Sequence, residues 1–382
     1  MEGNNKMKYI QNFEGWLDKT DECINYSSIA LLASTLATYY KKNSSSGQKL
    51  IIGYDTREYA KEVAEFFACV MAKKGVKVFL SNRPTPSSVC VISALHKKSL
   101  GTVVITGDEF RSSFLGIRAF DMQSHFLNEE ILRDYHDDDI DILDITEQSI
   151  RSFMKKGIVE LFDSSIIYDL FVRKVIDFQT MLPVRNQLLF NPFYGSGMFY
   201  FDYILKEENK SVGITNGVTI HSAKVFDFEE IEPKPTNLVN EMKWHMKEDK
   251  TSLGLVLSPD CTTFEFLVDN NVLPKNVILS FLVEQLQKTN EEINVLLETK
   301  KGYIDFTHNK RVQLEYAKET NFQTLLREKK YDIAMDKYER IYFSHHGAPD
   351  ALLCGFYLFS YFNQKGIHSE EASHLLTTST NY

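Results

Sequence analysis

Apolar and polar positions along the first 110 residues follow two alternating periods. Leu50–Tyr54 is a short apolar run that ends at a turn and predicts a buried strand, and Thr102–Thr106 is a second run, rich in β-branched residues. Between them, apolar residues recur at helical spacing over Glu58–Gly75, Val76–Leu80 returns to a strand, and Pro84–Lys98 predicts a second helix. Strands that alternate with helices in this way predict a parallel or mixed sheet covered by helices on both faces.

The same alternation begins again twice further along the chain. The runs Gln187–Phe190 and Leu253–Leu257 predict strands of a second unit. Ile293–Leu297 predicts a strand of a third unit, which ends in a buried helix at Ala351–Phe362. The residues themselves do not repeat strongly, so the predicted repeat is one of architecture: three α/β/α units in succession. The acidic run 137–141 between the first two units predicts a solvated linker.

The composition narrows the class of protein. A chain of 382 residues favours two or three domains, and 43% hydrophobic and 25% charged residues are ordinary for a globular protein. The net charge of −9 argues against a nucleic-acid partner, because no surplus of cations is available for a phosphate backbone. The five cysteines are scattered without a paired motif, and no apolar run reaches the ~18 residues that cross a bilayer. We expect a cytoplasmic protein with no membrane partner.

The segment 105–118 carries the most informative motif of the chain. It begins I-T-G-D-E-F and ends G-I-R, and it resembles the phosphoserine loop of the α-D-phosphohexomutases (phosphoglucomutases and phosphomannomutases), T-A-S-H-N-P followed by G-I-K. The turns G-Y-D-T-R at 53–57, P-T-P at 84–86 and N-P-F-Y-G-S-G at 191–197 are similar to further family motifs in the same order. The resemblance implies three α/β/α domains and a fourth domain. It also implies phosphoryl transfer between C1 and C6 of a hexose phosphate through an enzyme phosphoserine.

Two residues of this loop replace the groups that the resemblance assigns to catalysis. Asp108 stands at the nucleophilic serine and Glu109 at a histidine proposed to carry protons. A serine hydroxyl stores a phosphoryl group as a stable ester, whereas a carboxylate would store it as a labile acyl phosphate. Asp108 is therefore either a substitute nucleophile, with Glu109 as acid and base, or a fixed imitation of phosphoserine that has no group to transfer. We expect the second.

Arginines are frequent in the loops of the first unit. Arg118 stands where the family has a lysine, and the resemblance implies that it contacts substrate. Together with Arg57, Arg83 and Arg111 it could keep an anion pocket. The alternative for these side chains is solvation or pairing with carboxylates.

The segment 258–263 corresponds to the family's metal loop, D-G-D-A-D-R, which holds Mg²⁺. Here it reads S-P-D-C-T-T, so that only Asp260 keeps a carboxylate while Ser258 and Thr262 replace two ligands. Hard cations need oxygen ligands that are usually anionic. We therefore expect no Mg²⁺ and no other cofactor.

The segment 335–340 corresponds to the family's sugar loop, G-E-E-S-G-H, and reads M-D-K-Y-E-R. Asp336 could still accept a hydrogen bond from a hydroxyl, while Tyr338 would fill space that the family leaves open. Leu17 stands at a family arginine, and residues 363–382 are too few for the fourth, phosphate-binding domain, which we expect to be absent.

Adjacent histidines occur at His345 and His346, near Asp350. If they lie in a strand, their side chains point to opposite faces, so we expect no metal site from this pair.

These observations predict a three-domain protein of phosphohexomutase type that has lost mutase activity and serves in binding, regulation or assembly. The expected partner is a protein, through self-association or an active homologue, and the expected small ligand is a phosphosugar. Two alternatives stay open: a phosphosugar mutase or phosphatase in which Asp108 is a nucleophile or shares a cation with Asp260, and a sensor that binds a phosphosugar without turnover. The expected domains are 1–150 with the altered phosphoserine loop 105–118, 151–270 with the altered metal loop 258–263, 271–370 with the altered sugar loop 335–340, and a polar tail 371–382.

Overall fold

The structure is a computed structural model. It describes residues 8–10, 14–19, 24–43, 47–107, 114–135, 147–178, 188–198, 200, 203–204, 217–219, 235–299, 309–317, 322–328 and 331–366. The predicted acidic linker 137–141 and the polar tail 371–382 lie outside these residues.

The first sheet has seven strands and a mixed arrangement. Its strands are β1 (Lys8–Ile10), β2 (Gly15–Lys19), β3 (Lys49–Tyr54), β4 (Lys77–Ser81), β5 (Thr102–Thr106), β6 (Phe114–Phe120) and β7 (Val159–Phe162), in the order β1-β2-β6-β5-β3-β4-β7. The four strands β5, β3, β4 and β7 are parallel, and the β1, β2 and β6 side is antiparallel. The carboxyl ends of the four parallel strands therefore lie at one edge of the sheet.

Helices cover this sheet. They are α1 (Tyr26–Lys42), α2 (Ala60–Lys73), α3 (Ser87–Lys97), α4 (Glu129–Leu132) and α5 (Glu147–Lys155), while most of the next helix, α6 (Ser165–Val175), belongs to the second unit of the chain. The crossover through α2 runs from β3 to β4, and the one through α3 runs back past β3 to β5, so right-handed connections place α2 and α3 on opposite faces. Helix α2 begins later than the predicted Glu58, because Tyr59 has a left-handed backbone with φ 61°.

The second and third sheets are also mixed. The second contains β8 (Leu188–Asn191), β9 (Gly217–Thr219), β10 (Leu253–Leu257), β11 (Phe264–Val268) and β12 (Asn271–Val272), in the order β12-β11-β10-β8-β9. The third contains β13 (Ile293–Leu297), β14 (Val312–Tyr316), β15 (Ile333–Met335) and β16 (Ile341–Phe343), in the order β14-β13-β15-β16. Their helices are α7 (Pro235–Glu248), α8 (Lys275–Leu286), α9 (Phe322–Glu328) and α10 (Ala351–Lys365).

Helix α10 is buried on every side along most of its length. All residues from Ala351 to Asn363 are buried, and aromatic contacts join Phe362 to Phe266 of β11 and to Phe281 of α8. The apolar pattern of this helix is therefore explained by packing within the chain. Its aromatic side chains leave no uncovered surface for a partner in this stretch.

The chain forms two compact units. One comprises Met1–Tyr168 with Lys224–Glu232 and contains the seven-stranded sheet, and the other comprises Asp169–Ala223 with Pro233–Tyr382 and contains the other two sheets. The predicted boundary at residue 150 falls before β7, which pairs with β4 and so continues the first sheet. Within the described residues no helix is both long and apolar enough to cross a membrane.

Candidate functional site

The two residues predicted at the nucleophile and proton-carrier positions, Asp108 and Glu109, lie outside the described residues. The structure does describe both ends of their loop, as well as the segments 258–263 and 335–340. The segments 258–263 and 335–340 lie at the carboxyl ends of buried strands and contain the buried aspartates Asp260 and Asp336, while a third buried aspartate, Asp55, follows β3 beside the loop.

A buried ion pair holds the two ends of the loop that contains Asp108. Asp55, just after β3, accepts hydrogen bonds from Arg57 N (2.9 Å), Arg57 Nε (3.0 Å) and Thr106 Oγ1 (2.8 Å). Arg57 Nη1 donates to the carbonyl of Phe114 at 3.3 Å. A Cβ atom on Gly107 would lie 2.6 Å from Arg57 Nε, so only glycine lets the chain pass the guanidinium this closely. Arg57 therefore contacts both flanks of the loop.

The other arginines of the first unit have different surroundings. Arg118 lies on β6, where it pairs with Val104 of β5, and it is fully buried. Arg83 is partly exposed and its Nη2 lies 2.6 Å from Asp163 Oδ2. Arg57 and Arg83 are thus paired with the carboxylates of Asp55 and Asp163. Arg111 lies outside the described residues.

The segment 258–263 forms a tight turn around Asp260. The carboxylate is 2% exposed and accepts hydrogen bonds from Ser258 Oγ (2.8 Å), Thr262 Oγ1 (3.0 Å to each oxygen) and Thr262 N (3.2 Å). The turn passes through Cys261 in a left-handed conformation with φ 60°. Ser258 and Thr262, which stand where the family motif has aspartates, thus donate hydrogen bonds to Asp260.

This turn is held between two other elements of the second unit. Ser196 donates from its amide (3.0 Å) and its hydroxyl (3.2 Å) to the carbonyl of Pro259. A Cβ on Gly195 would lie 2.5 Å from Pro259 Cα, so the two backbones are in close contact. On the other side, the amide of Ala351 at the start of α10 donates to the carbonyl of Cys261 at 3.1 Å. The turn therefore connects the second sheet to the last helix.

The residues present in this turn do not fit Mg²⁺. The ion requires several oxygen ligands at near-octahedral positions. Here one carboxylate is available, and hydroxyl and amide donors of the same turn already point at its oxygens. Within the described ranges no group of three or more His, Cys, Asp or Glu side chains is arranged to hold a metal ion.

The segment 335–340 also folds around its aspartate. Asp336 is 1% exposed and accepts hydrogen bonds from the amides of Tyr338 and Arg340 (2.9 Å each), from Arg340 Nε (2.6 Å) and from Tyr342 Oη (3.0 Å). The Tyr338 ring is half-buried and lies 5.3 Å from Arg340 Cζ. Asp336 does accept a hydroxyl hydrogen bond, but its donor is a tyrosine of the same chain.

Arg340 and Tyr342 were not among the predicted site residues. The signal for Arg340 was present, because Asp336 and Arg340 are four residues apart across a turn that a buried ion pair can close. The only signal for Tyr342 was its place in the strand Ile341–Phe343, where side chains alternate between faces.

His345 and His346 do not lie in a strand, so the expectation that they point to opposite faces was wrong. They lie in the turn after β16, and their rings stack at 4.8 Å with an interplanar angle of 21°. Their Nδ1 atoms are 2.7 Å apart, and His346 Nε2 is 3.4 Å from Asp350 Oδ2. The strand rule fails because the strand ends at Phe343.

The cysteines near these turns are not suited to nucleophilic chemistry. Burial, and then the charge of Asp260, raise the pKa of the Cys261 thiol well above its ordinary value. Burial and the charge of Asp350 do the same for the pKa of Cys354. Both thiols therefore stay protonated at neutral pH, whereas the thiolate is the reactive form.

Comparison with known proteins supports the resemblance inferred from these loops. Residues 11–134 match the family model described as phosphoglucomutase/phosphomannomutase, alpha/beta/alpha domain I. Residues 11–134 therefore contain a domain of the phosphoglucomutase/phosphomannomutase type. A search of curated protein sequences finds no match to the chain.

Solved structures of phosphohexomutases share the fold over nearly the whole chain. A putative phosphomannomutase from Thermus thermophilus aligns with a TM-score of 0.77 at 16% identity, over 98% of this chain and 83% of that chain. A phosphoglucomutase/phosphomannomutase family protein from Burkholderia thailandensis gives 0.71 at 12% identity, over 95% and 78%. The Paramecium phosphoprotein pp63/parafusin (phosphoglucomutase), in its open form, gives 0.74 at 14% identity, over 96% and 73%. The predicted α/β fold of phosphohexomutase type, with mixed sheets, is confirmed.

Proposed function

We propose that this phosphohexomutase homologue does not turn over phosphosugars and serves in binding, regulation or assembly. The observation that carries the proposal is the turn around Asp260, whose carboxylate is buried and hydrogen-bonded by Ser258 and Thr262. These two residues stand where the family motif has the other metal-binding aspartates. A turn that satisfies its one carboxylate internally has no need of a cation and few ligands to offer one.

The sugar-binding segment supports the same proposal. The Asp336 carboxylate accepts four hydrogen bonds from its own chain, including the charged bond from Arg340. A substrate hydroxyl would have to displace one of them. The half-buried Tyr338 also occupies a position at which the family motif has a serine.

The sequence at the nucleophile position adds a chemical argument. Asp108 can imitate the negative charge of phosphoserine, but a carboxylate cannot hold a phosphoryl group as a stable ester between catalytic cycles. Three parts of the chemistry are altered together, while the strands that carry them are kept. This combination favours a fold retained for a partner protein, a second copy or an active homologue, or for a phosphosugar ligand.

A coupled mutase assay tests the loss of turnover. Glucose, mannose and glucosamine phosphates are supplied with Mg²⁺ and a bisphosphate activator, and an active family member runs in parallel. The wild type, Asp108→Ala and Asp108→Ser are compared, the last being the matched variant that restores the family residue. We expect no turnover above background from any of the three, because the metal turn is altered in all of them.

Two results would contradict this proposal. Turnover by the wild type that disappears in Asp108→Ala would make Asp108 a working nucleophile or ligand. Turnover gained only by Asp108→Ser would mean that the rest of the site is intact. If turnover is absent, a phosphosugar-induced rise in the unfolding temperature would identify a sensor, and sedimentation alone and with the active homologue would test the assembly role.

A further inference from the structure

The N-terminus of α3 has no side-chain cap. Its N-cap residue is Pro86, which makes no capping hydrogen bond, and its first turn contains no acidic residue. The first amides of a helix have no acceptor within the helix, and the helix dipole adds partial positive charge at that end. The first turn of α3 therefore presents donors without a built-in acceptor.

Three buried hydroxyl groups, two in the first turn of α3 and one just after β3, share that lack of a partner. Ser87 (3% exposed), Ser88 (1%) and Thr56 (8%) have hydroxyl oxygens without a hydrogen-bond partner in the described part of the chain. Ser87 and Ser88 are the first two residues of α3, and Cα–Cβ bonds in a helix tilt toward its N-terminus. Their Cβ atoms are thus tilted toward the uncapped end.

Thr56 follows the strand end that the loop before α3 contacts. The amide of Thr85 donates to the carbonyl of Tyr54 at 2.7 Å, which ties this loop to the carboxyl end of β3 two residues before Thr56. The first turn of α3 also lies directly on β3, because a Cβ on Gly53 would overlap the sulfur of Cys90. Helix end, loop and strand end are therefore in contact.

We propose that the N-terminus of α3 binds a small oxyanion of the size of phosphate, held by backbone amides and by the hydroxyls of Ser87, Ser88 and Thr56. A buried polar group without a partner costs free energy, so a ligand that satisfies several of them at once is favoured. Helix N-termini bind anions in many folds through the same amides. Because the hydroxyls are at least nine-tenths buried, the site takes a free ion in preference to a phosphate ester with a bulky sugar.

The experiment measures phosphate binding by the full chain without any turnover. Thermal unfolding and peptide-resolved hydrogen exchange are recorded in inorganic phosphate and in chloride of equal ionic strength, with glucose 6-phosphate as a third arm. We expect a rise in unfolding temperature of about 2 °C or more in phosphate alone. We also expect exchange in the first turn of α3 to slow roughly threefold when phosphate is at twice its dissociation constant.

The variant Ser87→Ala/Ser88→Ala removes two of the proposed contacts, and Ser93→Ala is its matched control. Ser93 is a buried serine of the same helix whose hydroxyl also lacks a partner, but it lies beyond the first turn. None of these changes breaks a hydrogen bond, so all variants are expected to fold as well as the wild type in chloride. Only the double variant should lose the response to phosphate.

Three outcomes would overturn the site. The first is a wild type that does not distinguish phosphate from chloride, which means that ordered water alone fills the gap. The others are an equal loss of the phosphate response in Ser93→Ala and in the double variant, or a response to glucose 6-phosphate that exceeds the response to phosphate. Binding here stands apart from mutase turnover, so either result of the mutase assay leaves this test intact.

Discussion

Replacing Asp260 by alanine tests whether its turn is a structural element or a remnant metal site. The substitution removes the acceptor of the Ser258 and Thr262 hydroxyls and leaves both donors buried. The amide of Thr262 keeps a second acceptor in Ser258 Oγ at 3.2 Å, so two hydrogen bonds to a charged group are lost outright. At about 1.5–3 kcal/mol each, we expect the second unit to lose roughly 3–6 kcal/mol of stability.

Hydrogen exchange of the β10 and β11 peptides is the appropriate assay, because it reports the opening of the second unit separately from the first. Asp260→Asn should lose less stability than Asp260→Ala, since the asparagine keeps one side-chain oxygen that can accept a hydrogen bond. Asp249→Ala removes an exposed carboxylate of the same unit and should change stability by no more than about 0.5 kcal/mol. The wild type should exchange equally in Mg²⁺ and in EDTA.

Two results would refute this reasoning. If Asp260→Ala costs less than about 1 kcal/mol, the hydrogen bonds of the turn do not stabilise the unit. If Mg²⁺ slows exchange in the wild type and has no effect in Asp260→Ala, the carboxylate is a metal ligand, and the proposed loss of the metal site is wrong.

Three further predictions concern other buried groups. Gly53→Ala should strongly destabilise the first unit, because its new methyl meets the sulfur of Cys90, and Cys90→Ala should restore much of the loss in a double-mutant cycle read by urea unfolding. Arg340→Met should lower the free energy of unfolding by about 3–5 kcal/mol, because it leaves Asp336 buried without its ion pair. If the double variant Asp336→Ala/Arg340→Met is as stable as the wild type, the cost comes from that unpaired charge. Burial raises the pKa of Cys69 to about 11, so as the pH rises its thiol ionises in the unfolded chain before it ionises in the folded chain. The free energy of unfolding should therefore fall between about pH 9 and 11. Unfolding measured at about pH 8 and pH 10.5 should show that Cys69→Ala lacks this loss.

Much of the fold follows from the pattern of apolar positions. The strands Thr102–Thr106, Leu253–Leu257 and Ile293–Leu297 were predicted with the bounds that the structure has, because each is a continuous buried run that needs no distant information. The edge strand β7 was missed: Glu160 and Leu161 are exposed, and a short run with two exposed positions has no clear period.

The sequence predicted which positions form the candidate site but not which hydrogen bonds their side chains make. The motif at 258–263 identified Asp260 as the remaining carboxylate, but its partners depend on a left-handed turn at Cys261 that no residue type announces. The hydroxyls of Ser87 and Ser88 belonged to a predicted helix and had no motif, so their lack of a partner became visible only with three-dimensional packing. Local sequence specifies which polar groups are available, and tertiary contacts decide which of them are satisfied.

The turn around Asp260 also bears on how the lineage could change. Restoring three aspartates would require Ser258 and Thr262 to be replaced one after the other, and each first step would place a second carboxylate beside Asp260 in a buried turn, where like charges repel. The carbonyl of Pro259, held by Ser196, keeps the backbone in its present path while this happens. Each added carboxylate is therefore expected to destabilise the turn when no cation is bound. Because Ser258 and Thr262 satisfy the buried Asp260 carboxylate, the stability of the fold itself opposes the introduction of the further carboxylates that a cation would need.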